Sequence, residues 1–348
     1  MQQEHAIQKI LLIQTAFIGD LILTTPLVRE IKKLYPNSYL AVVINQGTEL
    51  ILAHNPYIDE VISLDKKKIK KSLRAFLQFI GKLREYKFDI CIAAHFSYRS
   101  SLLSFLSGAS TRIGYKQSGF SFLHTQKIER PLRGMHEVEK LFSLIYPEEQ
   151  KPTDLQPELH LVTEEMRDIA EKMRIDTLGE KSYVVLAPSS VWQTKRMPLA
   201  KFKQFTEMLL SVSKQKIVLI GSKGDFSLAE EISQVDPKRV LNYAGRTNLQ
   251  ELSYVIRFAF CVVSNDSSPI HFASAHNVPT LAIFGATVAG FGYTPLSSWN
   301  YISQVENLPC RPCGIHGGSR CPKKHFSCME EQDLAEMLRQ IQSIPGFH

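Results

Sequence analysis

At 348 residues, with 44% hydrophobic and 22% charged positions, the chain has an ordinary globular composition and exceeds the size at which one core stops growing, so two domains are expected. No stretch approaches the roughly 18 unbroken apolar residues of a membrane-spanning helix. The start Met1-Gln2-Gln3-Glu4-His5 lacks the basic, apolar and small-residue segments of a secretory signal, which predicts a soluble, cytoplasmic protein with reduced cysteines. A net charge of +7 favours an anionic partner, whether nucleotide, nucleic acid or acidic membrane surface.

The first apolar run, 10–13, has strand length and feeds the turn Gly19-Asp20. Leu21, Leu27, Val28, Ile31 and Leu34 then follow at helical spacing. Asp20 therefore falls outside the carboxyl end of a strand, where open α/β sheets keep their ligands and where a carboxylate can take a proton from a bound hydroxyl. The same position also suits an Asp that only caps the helix.

Further apolar runs at 39–44, 61–64 and 89–94 alternate with helical periodicity, as a parallel sheet covered by helices requires. Between them Lys66, Lys67, Lys68, Lys70, Lys71 and Arg74 lead into a helix with Ile69, Leu73, Phe76, Ile80 and Leu83 as one stripe. A solvated helix packed by that stripe is the first reading, and a membrane-facing basic segment the second. Around 147–157 prolines and charges cluster as in a linker. The pattern then repeats with runs at 183–187, 216–220, 261–264 and 280–284, and Leu334, Met337, Leu338 and Ile341 outline a last helix. The expected fold class is α/β, with Rossmann-like doubly wound domains at 1–160 and 161–330 facing across a cleft and a terminal helix at 331–348. Fold alone does not choose the function. No Gly-x-Gly-x-x-Gly follows the first strand, which argues against a nicotinamide or flavin enzyme.

In the second half a strand runs into Asn265-Asp266-Ser267-Ser268-Pro269-Ile270-His271, an arrangement that aims backbone N–H groups at an anion such as a diphosphate. Asp266 can accept from sugar hydroxyls and His271 can donate to phosphate, although a plain cap and a buried helix residue fit the same positions. A second loop, 188–198, carries Ser189 and Ser190 and closes on Lys195 and Arg196 before Pro198. There Lys195 can neutralise a departing phosphate. Asp225, in the turn 221–225, can hold a ribose diol by analogy with dinucleotide folds.

Taken together, the Gly19 to Pro26 start, the Pro188-x6-Lys195-Arg196-x-Pro198 loop, the Asn265-Asp266-Ser267-x-Pro269-x-His271 segment and a cysteine-rich tail resemble the lipopolysaccharide heptosyltransferases, inverting GT-B glycosyltransferases, most closely the second type. The resemblance implies transfer of L-glycero-D-manno-heptose from ADP-heptose to the lipopolysaccharide inner core, in peripheral contact with the anionic cytoplasmic face of the inner membrane. It implies no cofactor and no nucleic acid. It makes Asp20 the general base and Lys195 the balancing cation. Ser189, Ser190, Asp266, Ser267, Ser268 and His271 line the donor site, with Asp225 at the ribose and Thr247 near the adenine. Arg99 and Arg112 are its candidates for a phosphorylated acceptor on charge and position.

Ser268 stands where the family usually has Gly, and Met197 where it often has Trp. No Asp-x-Asp occurs, in keeping with a leaving group stabilised without a divalent metal. Cys310, Cys313, Cys321 and Cys328 are a zinc alternative, while Cys91 and Cys261 read as core. Other nucleotide-sugar transfers and a non-catalytic nucleotide-binding module remain open at this level. Two halves joined by a flexible segment are expected to close on the donor.

Overall fold

Each half of the chain builds a six-stranded, fully parallel sheet. The computed structural model describes residues 8–173 and 179–347, and the chain divides into two units, Met1–His160 and Leu161–His348. Unit one contains β1 (Lys9–Ile13), β2 (Tyr39–Asn45), β3 (Glu60–Leu64), β4 (Ile90–Ala93), β5 (Thr111–Tyr115) and β6 (Gln126–Ile128), ordered β3-β2-β1-β4-β5-β6. Unit two contains β7 (Tyr183–Ala187), β8 (Lys216–Leu219), β9 (Val240–Asn242), β10 (Cys261–Asn265), β11 (Thr280–Phe284) and β12 (Asn300–Gln304), ordered β12-β11-β10-β7-β8-β9. Both orders reverse direction once, between β1 and β4 and between β7 and β10. At such a switch the loops leaving the two strands diverge and open a crevice at the carboxyl edge of the sheet.

Helices α1 (Ile18–Leu34), α2 (Lys66–Lys71), α3 (Leu73–Glu85), α4 (Tyr98–Leu106) and α5 (Glu137–Phe142) belong to unit one. Unit two has α6 (Thr163–Met173), α7 (Leu199–Val212), α8 (Phe226–Ser233), α9 (Leu249–Arg257), α10 (Pro269–Ala275), α11 (Ser327–Glu330) and α12 (Leu334–Gln342). The basic stripe expected as one helix is two. Ser72 ends α2, and its hydroxyl caps α3 by accepting from Ala75 N at 3.2 Å. Ile80 and Leu83 are buried, whereas Leu73 falls outside the stripe at 73% exposure.

Strand β1 is buried from Ile10 onward and β7 throughout, as central parallel strands covered on both faces must be. The segment after residue 147 does not read as a free linker, because its end is pinned to α1 by charge. Arg29, 7% exposed, donates to Asp154 O at 3.0 Å, pairs with Asp154 Oδ2 at 3.1 Å and also pairs with Glu158. Glu30 beside it is 2% exposed and accepts from Arg29 Nε at 3.2 Å, Lys33 Nζ at 2.7 Å and Tyr146 Oη at 3.0 Å. Burial pushes the Glu30 carboxyl up, but these donors outweigh it and the net shift is downward.

Replacing Arg29 by Met leaves Glu30 and Glu158 without their shared cation, which is expected to cost about 3–5 kcal/mol in denaturant unfolding. Glu30's contribution is present above the ordinary carboxylate range and lost as pH falls through its lowered folded value. In R29M that value rises, so the acid-unfolding midpoint followed by circular dichroism should move to higher pH.

Candidate functional site

At the switch of unit one, Asp20 is the third residue of α1, and its Oδ2 accepts from Phe17 N at 3.2 Å. Capping is therefore one of its roles. The loop leading to it is strapped from three sides. Asn45 Nδ2 donates to Thr15 O at 3.0 Å and to Ala16 O at 2.6 Å, Lys66 Nζ donates to Thr15 O, and Thr15 Oγ1 lies 3.0 Å from His95 Nδ1. Lys66 begins α2 and His95 follows β4, so the straps join both sides of the crevice.

The crevice is rich in cations. Burial, then the Lys66, Arg99 and Arg130 charges, push the His95 imidazole down to about 4, so it is neutral at physiological pH. Lys66 is lowered by burial and by Arg99 and Lys70. Arg130 grips both oxygens of Glu137 at 2.6 and 2.7 Å, with its guanidinium 5.6 Å over Phe96 and 5.2 Å over Tyr115. Glu137 is 5% exposed, and burial raises its pKa against the pull of Arg130, with the Asp20 charge raising it further. Arg99 was legible from the sequence. Lys66, His95, Arg130 and Glu137 were not, because nothing along the chain marks them as neighbours.

Arg112 does not belong to this group. It sits at the amino end of β5, and in a parallel sheet that is the edge opposite to Asp20. Its guanidinium donates to Leu123 O at 2.9 Å and Ala109 O at 2.7 Å and lies 5.6 Å from the Phe105 ring, a clamp on its own strand ends.

At the switch of unit two, Lys195 Nζ lies 2.6 Å from Asp266 Oδ2, and Thr287 Oγ1 donates to the same oxygen at 2.6 Å. The two ionic side chains are 13% and 7% exposed. Asn265, at the end of β10, ties the neighbouring loop to them, donating to Pro188 O at 2.8 Å and accepting from Met197 N at 3.1 Å. Arg196 Nε donates to Ser190 O at 2.7 Å, and Ser267 Oγ approaches Ser189 O at 3.5 Å. Ser189, Ser190, Lys195, Asp266 and Ser267 are thus assembled around one crevice. Ser268 precedes α10, where Pro269 has no N–H, so the last amides before the helix belong to Ser267 and Ser268. His271 is 4% exposed, with its ring 6.3 Å from Tyr293. Met197 is a core residue at 2% exposure.

Asp225 and Thr247 lie on adjacent loops of the same edge, after β8 and β9. Asp225 Oδ2 accepts from Ser222 N at 2.8 Å and Ser222 Oγ at 2.6 Å. The loops touch through Gly245, at φ +71°, where a Cβ would stand 2.7 Å from Lys223 Cα. Only glycine permits that approach.

Residues 76–321 match the family model described as glycosyltransferase family 9 (heptosyltransferase). The chain belongs to that family. It is 30% identical to lipopolysaccharide heptosyltransferase 3 of Escherichia coli K12 over 77% of this chain and 80% of the relative. It is 27% identical to lipooligosaccharide heptosyltransferase 2 of Haemophilus influenzae over 82% and 85%. The solved structure of E. coli ADP-heptose LPS heptosyltransferase II superposes with a TM-score of 0.77 at 21% identity, covering 96% of this chain and 99% of that one. The fold class is α/β of the GT-B type, and the protein is a glycosyltransferase of the heptosyltransferase family.

In this family 9 enzyme the cysteine-rich tail is a buttress. Among the described residues no three His, Cys, Asp or Glu side chains are grouped to hold a metal ion, the thiols of Cys310, Cys313, Cys321 and Cys328 included. All six cysteines are free thiols, and burial pushes Cys91 up to about 12 and Cys261 higher. Thr194, next to Lys195, donates from its backbone to Gly318 O at 3.0 Å and accepts from Gly318 N at 2.7 Å on its hydroxyl. Trp192 stacks on His316 at 6.3 Å. On the other side Arg311 donates to Thr287 O at 2.8 Å, and Cys313 N to Ala286 O at 2.8 Å. One tail segment thus holds the loops of both Lys195 and Thr287.

Gly317 has φ +80°, and a Cβ there would meet Thr194 Oγ1 at 2.9 Å. G317A should therefore displace the Lys195 loop and lower kcat/KM by on the order of 10- to 100-fold. Thermal unfolding should shift by only a few degrees, a contrast that steady-state kinetics and calorimetry read together.

Proposed function

We propose that this enzyme transfers L-glycero-D-manno-heptose from ADP-heptose to the inner core of lipopolysaccharide, with inversion at the anomeric carbon. The reading is carried by the Lys195–Asp266 pair, 2.6 Å long, at a sheet switch lined by serine hydroxyls. Such a site offers a cation for a diphosphate and a carboxylate for sugar hydroxyls within one crevice. The printed names of the relatives supply the donor and the acceptor class: ADP-heptose for the E. coli enzyme II, and lipopolysaccharide or lipooligosaccharide for the relatives.

In this mechanism Asp20 takes the proton of the acceptor hydroxyl as that oxygen attacks the anomeric carbon from the face opposite ADP. The glycosidic C–O bond to the diphosphate breaks in the same displacement, which inverts the centre. Lys195 balances the charge gained by the leaving diphosphate, helped by the Ser267 and Ser268 amides and His271, so departure needs no metal. Asp266 holds heptose hydroxyls, with Thr287 fixing its carboxylate. Ser189 and Ser190 line the pocket. Asp225 faces the ribose with the oxygen that Ser222 does not occupy, and Thr247 the adenine. In unit one Lys66, Arg99 and Arg130 take the anionic groups of the inner core, with Arg112 withdrawn from that role. Because this acceptor is membrane-held, the enzyme works in peripheral contact with the anionic cytoplasmic face of the inner membrane. No helix among the described residues is long and apolar enough to cross a membrane.

ADP release is measured from ADP-heptose with and without a truncated inner-core acceptor, beside ADP-glucose and UDP-glucose. Acceptor-dependent turnover with the heptose donor alone supports the reading, and turnover only with another donor reassigns the sugar. D20N should lose about 10²- to 10⁴-fold in kcat with ADP affinity unchanged by calorimetry. Turnover near the wild-type rate in D20N would remove Asp20 from the role of base. K195A should lose about 10²- to 10³-fold and weaken ADP binding as well.

A further inference from the structure

Beside the unit one crevice runs a strip of exposed aromatic rings that the reaction does not use. Tyr98 opens α4, its ring meets Phe120 edge-on at 6.0 Å, and Phe120 meets Phe122 edge-on at 6.0 Å. Their exposures are 48%, 47% and 71%. The loop that carries the two phenylalanines is held in place rather than loose. Phe120 has φ +60°, a left-handed conformation strained for a bulky side chain. Gly119 presses the backbone onto α4, since a Cβ there would stand 2.7 Å from Tyr98 Cβ and 3.3 Å from Tyr98 Cα. A turn needing only that conformation would use Gly or Asn. Here the strained residue is a phenylalanine turned to solvent, and backbone strain held by surrounding structure points to function.

The strip continues into fixed positive charge. The Arg99 guanidinium lies 5.1 Å over the Tyr98 ring. Arg99 and Lys70 are close enough to Lys66 to lower its proton affinity, and α2 adds Lys67, Lys68 and Lys71 with no residue of the helix buried. Exposed rings adjoining a lysine cluster match the chemistry of a bilayer interface. Aromatic side chains settle at the boundary of headgroups and acyl chains, and lysines reach anionic headgroups.

We propose that Tyr98, Phe120 and Phe122, with Lys67, Lys68, Lys70 and Lys71 of α2, dock unit one onto an anionic membrane surface. The inference rests on the reading that the acceptor is membrane-held, and it adds which face meets the lipid. Tyr98 directly follows the loop 94–97 that walls the Asp20 crevice. Seating this strip on the bilayer therefore brings the loop beside the Asp20 crevice close to the membrane surface.

The test is co-sedimentation of the full chain with vesicles of phosphatidylcholine alone and of phosphatidylcholine mixed with phosphatidylglycerol, at low and high salt. The wild type should partition onto the mixed vesicles, less so in high salt, and little onto phosphatidylcholine. F120S/F122S should lose on the order of 10-fold or more in partitioning, and F122S alone a part of it. K67Q/K70Q should lose roughly 5-fold per charge. Turnover by F120S/F122S on a soluble, de-acylated acceptor should match the wild type, which also shows that the variant is folded. Unchanged sedimentation of F120S/F122S, or wild-type protein that ignores anionic vesicles, would overturn the proposal. So would a concentration-dependent dimer that the double variant abolishes without any vesicle binding, because the strip would then belong to a second copy. Sedimentation is read without turnover, so a failure of the heptose assay leaves this result standing on its own.

Discussion

The Lys195–Asp266 ion pair is the constraint around which unit two is arranged. Two charges at 13% and 7% exposure are tolerated only with close geometry and further hydrogen bonds, because desolvation otherwise outweighs their attraction. The structure supplies both. Thr287 donates to the shared oxygen, Asn265 binds the backbone on either side of the Lys195 loop, and the tail holds that loop through Gly318. Lys195 and Asp266 satisfy each other, which places a cation and a carboxylate side by side in one crevice.

Unit one solves the opposite problem from the same sheet order. Its switch gathers Lys66, Arg99 and Arg130 near two carboxylates, Asp20 and Glu137, and keeps His95 uncharged among them. Glu137 accounts for the placement of Arg130, holding the guanidinium by both oxygens while Phe96 and Tyr115 fix its plane. A guanidinium oriented this way presents a set direction to an anion, whereas a solvated arginine would first have to be ordered. The parallel architecture makes the contrast possible, since each βα loop at the carboxyl edge can be replaced without disturbing the buried strands.

Sequence signal was strong where burial writes an apolar run. The strands β1, β2, β4, β7, β8, β10 and β11 were legible for that reason, and so was β3. By contrast β5 carries Arg112 and Gly114, β12 reads Asn-Tyr-Ile-Ser-Gln, and β6 and β9 have three residues each. Strands of that length or composition leave no periodic trace. Asp266, Lys195 and Asp20 were legible because their loops carry local signatures. Thr287, Lys66 and Glu137 were not, since each earns its place through a partner far along the chain. Arg112 shows the converse error: positive charge in the right domain says nothing about which edge of a parallel sheet it occupies. In the tail the cysteines draw attention along the chain, while the loops of Lys195 and Thr287 are held by Arg311, Gly318, His316 and the Cys313 backbone.

Lys66 joins the two themes of unit one. Its ammonium donates to Thr15 O and so steadies the loop that presents Asp20, while standing near the charges of Arg99 and Lys70. Burial and the neighbouring Arg99 and Lys70 lower its hold on its proton. The side chain that steadies the Asp20 loop is thus also a member of the cation cluster, so a change at Lys66 reaches both the loop and the charge around it.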